Sequence, residues 1–166
     1  MAKSKKEIIS TICEGESWYI VPNYRVMLVR DSSNSVKAAG KKAGVKSPDD
    51  MAAIFNSYLD GADRENFCIA MLDRKGNLLG LNTVSVGGLH SSIVHPREVF
   101  KPAIVIGAAS IILCHNHPSG DTTPSKEDLE VTNLLIEAGK IIGIEILDHV
   151  IIGDDSFCSL KARGFI

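Results

Sequence analysis

Between residues 66 and 152, apolar and polar positions fall into blocks that read as strands and helices in turn. Residues 66–73 (Asn-Phe-Cys-Ile-Ala-Met-Leu-Asp) form a nearly unbroken apolar run of strand length, the pattern of a strand buried on both faces. Asp73-Arg74-Lys75-Gly76-Asn77 is a turn cluster, and residues 78–86 return as the hairpin partner. After Pro96, the residues Val99, Phe100, Ala103 and Ile106 recur at helical spacing and predict a helix to about Ile106. Residues 110–115 read as another strand. Ser125 opens a helix with the apolar stripe Val131, Leu134, Leu135 and Ala138, ended near Gly143. Residues 144–152 are a last long strand, and Gly153-Asp154-Asp155 turns into a short tail.

Upstream the pattern is weaker. Residues 3–13 suit a short helix, and 18–30 carry the β-branched and aromatic residues of a strand. The polar cluster 31–35 is a turn, followed by a lysine- and glycine-bearing stretch to Val45. Ser47-Pro48-Asp49-Asp50 is a helix start, with Ser47 as N-cap, Pro48 at the first helical position and acids in the first turn. That helix should run to about Leu59, with Gly61 ending it. The whole predicts an α/β chain with a mixed, mostly antiparallel sheet flanked by helices. We expect a single domain over 46–166, preceded by an extension over 1–45.

Composition narrows the class. A chain of 166 residues suits one ordinary domain, and 45% hydrophobic with 23% charged residues excludes disordered and fibrous proteins. The net charge of −2 argues against a protein whose main work is gripping nucleic-acid phosphates, although a local basic patch fits within a neutral total. Cys13, Cys68, Cys114 and Cys158 form no CxxC pair, and free buried thiols in a reducing compartment are the expectation. The N-terminus lacks the apolar stretch of a signal peptide. The apolar run over 104–114 is broken by Gly107 and Ser110 and is too short to span a bilayer. A cytoplasmic protein without a membrane partner is expected.

The chemistry concentrates in His115-Asn116-His117-Pro118-Ser119-Gly120-Asp121, followed by Ser125-Lys126-Glu127-Asp128. Histidines at i and i+2 of an extended chain point to one side, with Cα atoms roughly 7 Å apart, and can share one ion. Pro118 and Gly120 stop the strand and let the chain turn back. Asp128, at the head of the next helix, can supply a third ligand. Two nitrogens and one oxygen leave a tetrahedral zinc site one position short, as in catalytic rather than structural sites. Water would fill that position, its pKa lowered towards neutrality. Each half alone is weak, since HxH arises by chance and Ser-x-x-Asp is also a capping pattern. Together they are stronger, because the strand fixes the histidines and the cap fixes Asp128. The three residues of an HNH nuclease are not consecutive, and the deaminase pattern H-x-E with P-C-x-x-C is absent.

His115-x-His117, seven residues, then Ser125-x-x-Asp128 resembles the JAMM (MPN+) metalloprotease motif position for position. The strings Val94-His95-Pro96-Arg97-Glu98-Val99-Phe100, His115-Asn116-His117-Pro118-Ser119-Gly120 and Leu147-Asp148-His149-Val150-Ile151-Ile152-Gly153 resemble the RadC-type branch, over about 47–166. The resemblance implies a JAMM/MPN-like, cytidine-deaminase-like sandwich. It implies His115, His117 and Asp128 as ligands of Zn²⁺, and Ser125 hydrogen-bonded to the oxyanion or the water. It places the general base at Glu65, one residue before the strand at 66–73. A carboxylate near a cation at a strand end stays ionised at pH 7 and can reach the water. RadC-type proteins often carry a DNA-contacting helix-hairpin-helix region. Residues 1–45 show no such glycine-hairpin pattern, so the chain looks like a short stand-alone domain of mobile-element type.

Other residues have plainer readings. Strand alternation turns Cys114 away from His115, towards the core. His95 helps enter a helix. His149 beside Asp148 is structural or supports a ligand from behind, since no activated Ser or Cys nucleophile accompanies it. Asp121 could replace Asp128 as ligand, but it lies in the turn straight after the histidines. Lys3, Lys5 and Lys6 read as a solvated tail. The expected activity is zinc-dependent hydrolysis of an amide bond in a peptide or protein, as a peptidase or isopeptidase. The alternative is a DNA-repair or mobile-element accessory protein that binds DNA or a protein partner.

Overall fold

A computed structural model of the chain describes residues 25–29, 44–87 and 94–166. The helix expected over 3–13, the turn over 31–35, Cys13 and the lysine tail lie outside those residues. So does most of the strand expected over 18–30; its described part, 25–29, forms no regular element.

The described chain runs α1 (Pro48–Tyr58), β1 (Asn66–Leu72), β2 (Leu78–Val86), α2 (Pro96–Ile106), β3 (Ser110–Asn116), α3 (Lys126–Ile142), β4 (Glu145–Ile152) and β5 (Phe157–Ser159). The strands form one sheet in the order β2-β1-β3-β4-β5. Every neighbouring pair is antiparallel except β3 and β4, which are parallel and joined through α3 as a βαβ crossover. This is the mixed, mostly antiparallel α/β sheet expected from the sequence.

β1 and β3 read as continuous apolar runs because both of their faces are covered. On one face Phe67, Ile69, Met71, Ile111 and Leu113 pack against Val99, Phe100 and Ala103 of α2 and Val131 and Leu135 of α3. On the other, Cys68, Ala70, Leu72, Ile112, Cys114 and Val150 pack against Met51, Ala52, Ile54 and Phe55 of α1. The result is a sheet between one helix and two.

The helix starts follow local chemistry. Ser47 caps α1 with a capping box closed by Asp50, as its sequence predicts. His95 caps α2, its Nδ1 accepting from the Arg97 N–H at 3.1 Å. α1 runs to Tyr58 with Leu59 as its cap, as its sequence predicts. Two expectations are corrected. Leu134 is half exposed, and the buried face of α3 is instead Asp128, Val131, Thr132, Leu135 and Gly139. The tail after Gly153 adds a fifth strand, β5, on the edge of β4.

Candidate metal centre

The C-terminal end of β3 and the first turn of α3 meet at His115, His117 and Asp128, whose donor atoms all lie within 4.8 Å of one another. β3 alternation puts both imidazoles on the α3 side of the sheet. The α3 capping box supplies the carboxylate: Asp128 Oδ2 accepts from the Ser125 N–H at 2.7 Å, and Ser125 Oγ accepts from the Asp128 N–H at 3.1 Å. His115 and Asp128 are buried, and His117 keeps 18% of its side chain exposed, which leaves one approach from solvent.

Three donor distances define the centre. His115 Nε2 stands 2.9 Å from His117 Nε2 and 3.2 Å from Asp128 Oδ1, and His117 Nε2 is 3.7 Å from Asp128 Oδ2. Donors on a tetrahedral zinc with bonds near 2.05 Å are about 3.3 Å apart, so these separations straddle that spacing. The proton positions agree. His117 Nδ1 lies 2.5 Å from the Asp121 carbonyl oxygen, which only accepts, so Nδ1 carries the hydrogen and Nε2 has a bare lone pair. That lone pair faces His115 Nε2 beside an ionised carboxylate, an arrangement that a cation between them satisfies. The residues present therefore fit a divalent metal.

Burial by itself would raise the Asp128 carboxyl. The adjoining His115 ring and the contacts of Ser125 outweigh it and hold the group well below the usual carboxylate range. Behind His115 lies His149, fully buried, its Nε2 2.8 Å from His115 Nδ1 and its Nδ1 2.6 Å from Thr132 Oγ1. Burial holds the His149 imidazole well below its ordinary value. Phe67 stacks along the His115 ring at 6.4 Å and meets His149 edge-on at 5.6 Å, closing the apolar side.

Glu65 stands apart from the three donors, partly buried just before β1. Phe67, two residues after Glu65, pairs with His115 at the end of the antiparallel β1–β3 ladder. Both neighbouring peptides are held by Asn116: its Oδ1 accepts from the Asn66 N–H at 2.8 Å and its Nδ2 donates to the Arg64 carbonyl at 3.1 Å. The Glu65 carbonyl accepts from the Gly87 N–H at 2.7 Å. A cavity of about 420 Å³ lined by Tyr58, Arg64, Asn66, Thr83 and Val86, among others, opens beside this segment.

Ser125 is exposed, and its oxygen accepts from the Asp128 N–H. Cys114 faces the α1 core, where burial raises its thiol well above the ordinary value and pushes Cys68 up to about 11, so both stay neutral packing groups. Asp121 offers its carbonyl to His117 while its carboxylate holds the Thr123 N–H at 2.9 Å, outside the donor group. Sequence reading assigned no role to Thr132 or Asn116. The only signal was positional: Thr132 is one turn after Asp128, and Asn116 lies between the histidines.

Comparison with known proteins gives this geometry a family. The model of the RadC-like JAB domain matches residues 45–165. A UPF0758 protein of Syntrophomonas wolfei is 60% identical over 126 residues, covering 74% of this chain and 54% of the relative. One of Moorella thermoacetica is 54% identical over 122 residues, covering 74% and 53%. One of Caldanaerobacter subterraneus is 52% identical over 126 residues, covering 76% and 54%. The chain thus spans about half the length of the curated relatives it matches. A match across most of the sequence, over the elements that carry the three donors, settles the assignment: the chain belongs to the RadC-like JAB domain family.

Proposed function

We propose that the chain is a zinc-dependent peptidase or isopeptidase that hydrolyses an amide bond of a peptide or protein. The observation that carries this is the donor set: His115, His117 and Asp128 at tetrahedral spacing, with the His117 lone pair turned inward and one side open to solvent. Zinc held there would supply a Lewis acid for a carbonyl oxygen and lower the pKa of water towards neutrality.

The chain's own residues supply the rest. Glu65, two residues before the β1 partner of His115, takes the proton from the attacking water and returns it to the leaving amine. The Ser125 hydroxyl donates to the oxyanion as the carbonyl becomes tetrahedral. Among the described residues no helix is long and apolar enough to cross a membrane, and Cys68, Cys114 and Cys158 are free, which supports work in the cytoplasm.

Elemental analysis of protein purified without a histidine tag tests the centre. Near one zinc per chain is expected in the parent, and none in the His115→Ala, His117→Ala double variant. A parent that takes up no zinc even after it is added back would sink the proposal. Glu65→Gln should keep the zinc and abolish cleavage in a peptide and isopeptide screen. Cleavage by that variant at the parent's rate would show that the base is another group.

A further inference from the structure

We propose that Thr132 and His149 form a proton-ordering relay behind His115 that leaves its Nε2 lone pair bare for the metal. The inference rests on the zinc-centre reading above and adds two positioning residues to it.

Hydrogen counting sets the order. Thr132 Oγ1 lies 2.5 Å from the Asp128 carbonyl oxygen, its partner one helical turn back. Two oxygens that close need a hydrogen between them, and a carbonyl has none, so the single hydroxyl hydrogen of Thr132 points at Asp128. His149 Nδ1, 2.6 Å from the same Oγ1, must then bring its own hydrogen. A neutral imidazole carries one, so His149 Nε2 is bare and accepts from His115 Nδ1 at 2.8 Å. That places the one hydrogen of neutral His115 on Nδ1 and leaves Nε2 free.

The reverse order would be costly at both ends. A hydrogen on His149 Nε2 would force the His115 hydrogen onto its own Nε2, the atom that faces His117 and Asp128, and would block the metal. It would also turn the Thr132 hydroxyl towards His149 and leave its oxygen and the Asp128 carbonyl facing each other lone pair to lone pair. The relay is buried at every member: Asp128, Thr132, His115 and His149 are shielded from water, so no solvent molecule substitutes for a missing partner. It also links the two ligand-bearing elements, since it starts on the α3 residue that supplies the carboxylate and ends on the β3 ligand.

Zinc affinity of the full chain, read by competition with a chromophoric chelator, is the test. His149→Leu fills the space but cannot accept from His115, and a roughly 10- to 100-fold loss of affinity is expected, as for other groups that orient a metal ligand from behind. His149→Gln, whose side-chain oxygen accepts and whose amide donates to Thr132, should restore most of it. Thr132→Val should weaken binding and Thr132→Ser should not. Nitrogen chemical shifts of histidine in the zinc-loaded parent need no variant: His149 should carry its hydrogen on Nδ1 with Nε2 bare. The opposite pattern, or a folded His149→Leu that binds zinc as tightly as the parent, overturns the relay while leaving the zinc centre standing. A parent that binds no zinc removes the centre and the relay with it. Should His149→Leu fail to fold, the Thr132 pair and the nitrogen shifts give the decision.

Discussion

Asn116 lies between two candidate ligands, yet alternation along β3 turns it away from the face that His115 and His117 share. Its amide holds the two peptide groups on either side of Glu65, accepting from one and donating to the other. The base proposed at Glu65 keeps its position at the strand end only if the backbone there is fixed, and Asn116 fixes that backbone. Asn116→Ala should therefore leave zinc binding close to the parent's while lowering the rate of hydrolysis. It should also cost about 1–3 kcal/mol of stability in urea unfolding, because the Asn66 N–H loses its partner. Equal rates of cleavage in parent and variant would show that Glu65 does not depend on this brace. At this scale the sequence is legible where partners are close: His115, His117, Ser125 and Asp128 lie within fourteen positions and announce themselves by spacing. Asn116 and His149 do not, because their partners are supplied by strand pairing across long stretches of chain.

Helices and strands divide by the same criterion of locality. The starts of α1 and α3 are legible because a capping box is a four-residue event. β5 is not, since three residues are too few to show a period. The buried face of α3 is misread because two of its positions look unlike core. Thr132 replaces an apolar residue there because its hydroxyl lies between Asp128 and His149, and Gly139 because nothing larger fits. A Cβ at Gly139 would lie 2.6 Å from the Ile144 carbonyl oxygen and 3.3 Å from the Phe100 ring. Helix propensity alone favours Ala over Gly by about 1 kcal/mol at an interior position. The clash reverses that sign: Gly139→Ala should destabilise by roughly 1–3 kcal/mol, since backbone rather than a flexible side chain must move. Chemical denaturation reads the sign directly, and a stabilised variant would mean that β4 can shift away from α3 without loss.

Across the whole molecule, the fold class was legible from the lengths of the apolar runs, whereas the order β2-β1-β3-β4-β5 depends on pairings that no local pattern encodes. That order sets the candidate centre at a junction, with His115 on the central strand β3, His117 just past its end, and Asp128 on α3, the crossover that leads to β4. An ion held by all three exists only when β3 and α3 are docked, so it binds the folded chain and not the unfolded one. The stabilisation it gives is then set by mass action, about 2.7 kcal/mol when free zinc exceeds the dissociation constant a hundredfold. For a domain of this size such a gain corresponds to a rise in melting temperature of roughly 5–10 °C. Chelation should remove the rise, and acidification should remove it too, because protons compete with the ion for the imidazoles. The His115→Ala, His117→Ala variant should melt at one temperature with or without zinc. A parent whose melting is indifferent to zinc, or a double variant that gains as much as the parent, would separate the ion from these three residues and leave the junction between β3 and α3 held by packing and hydrogen bonds alone.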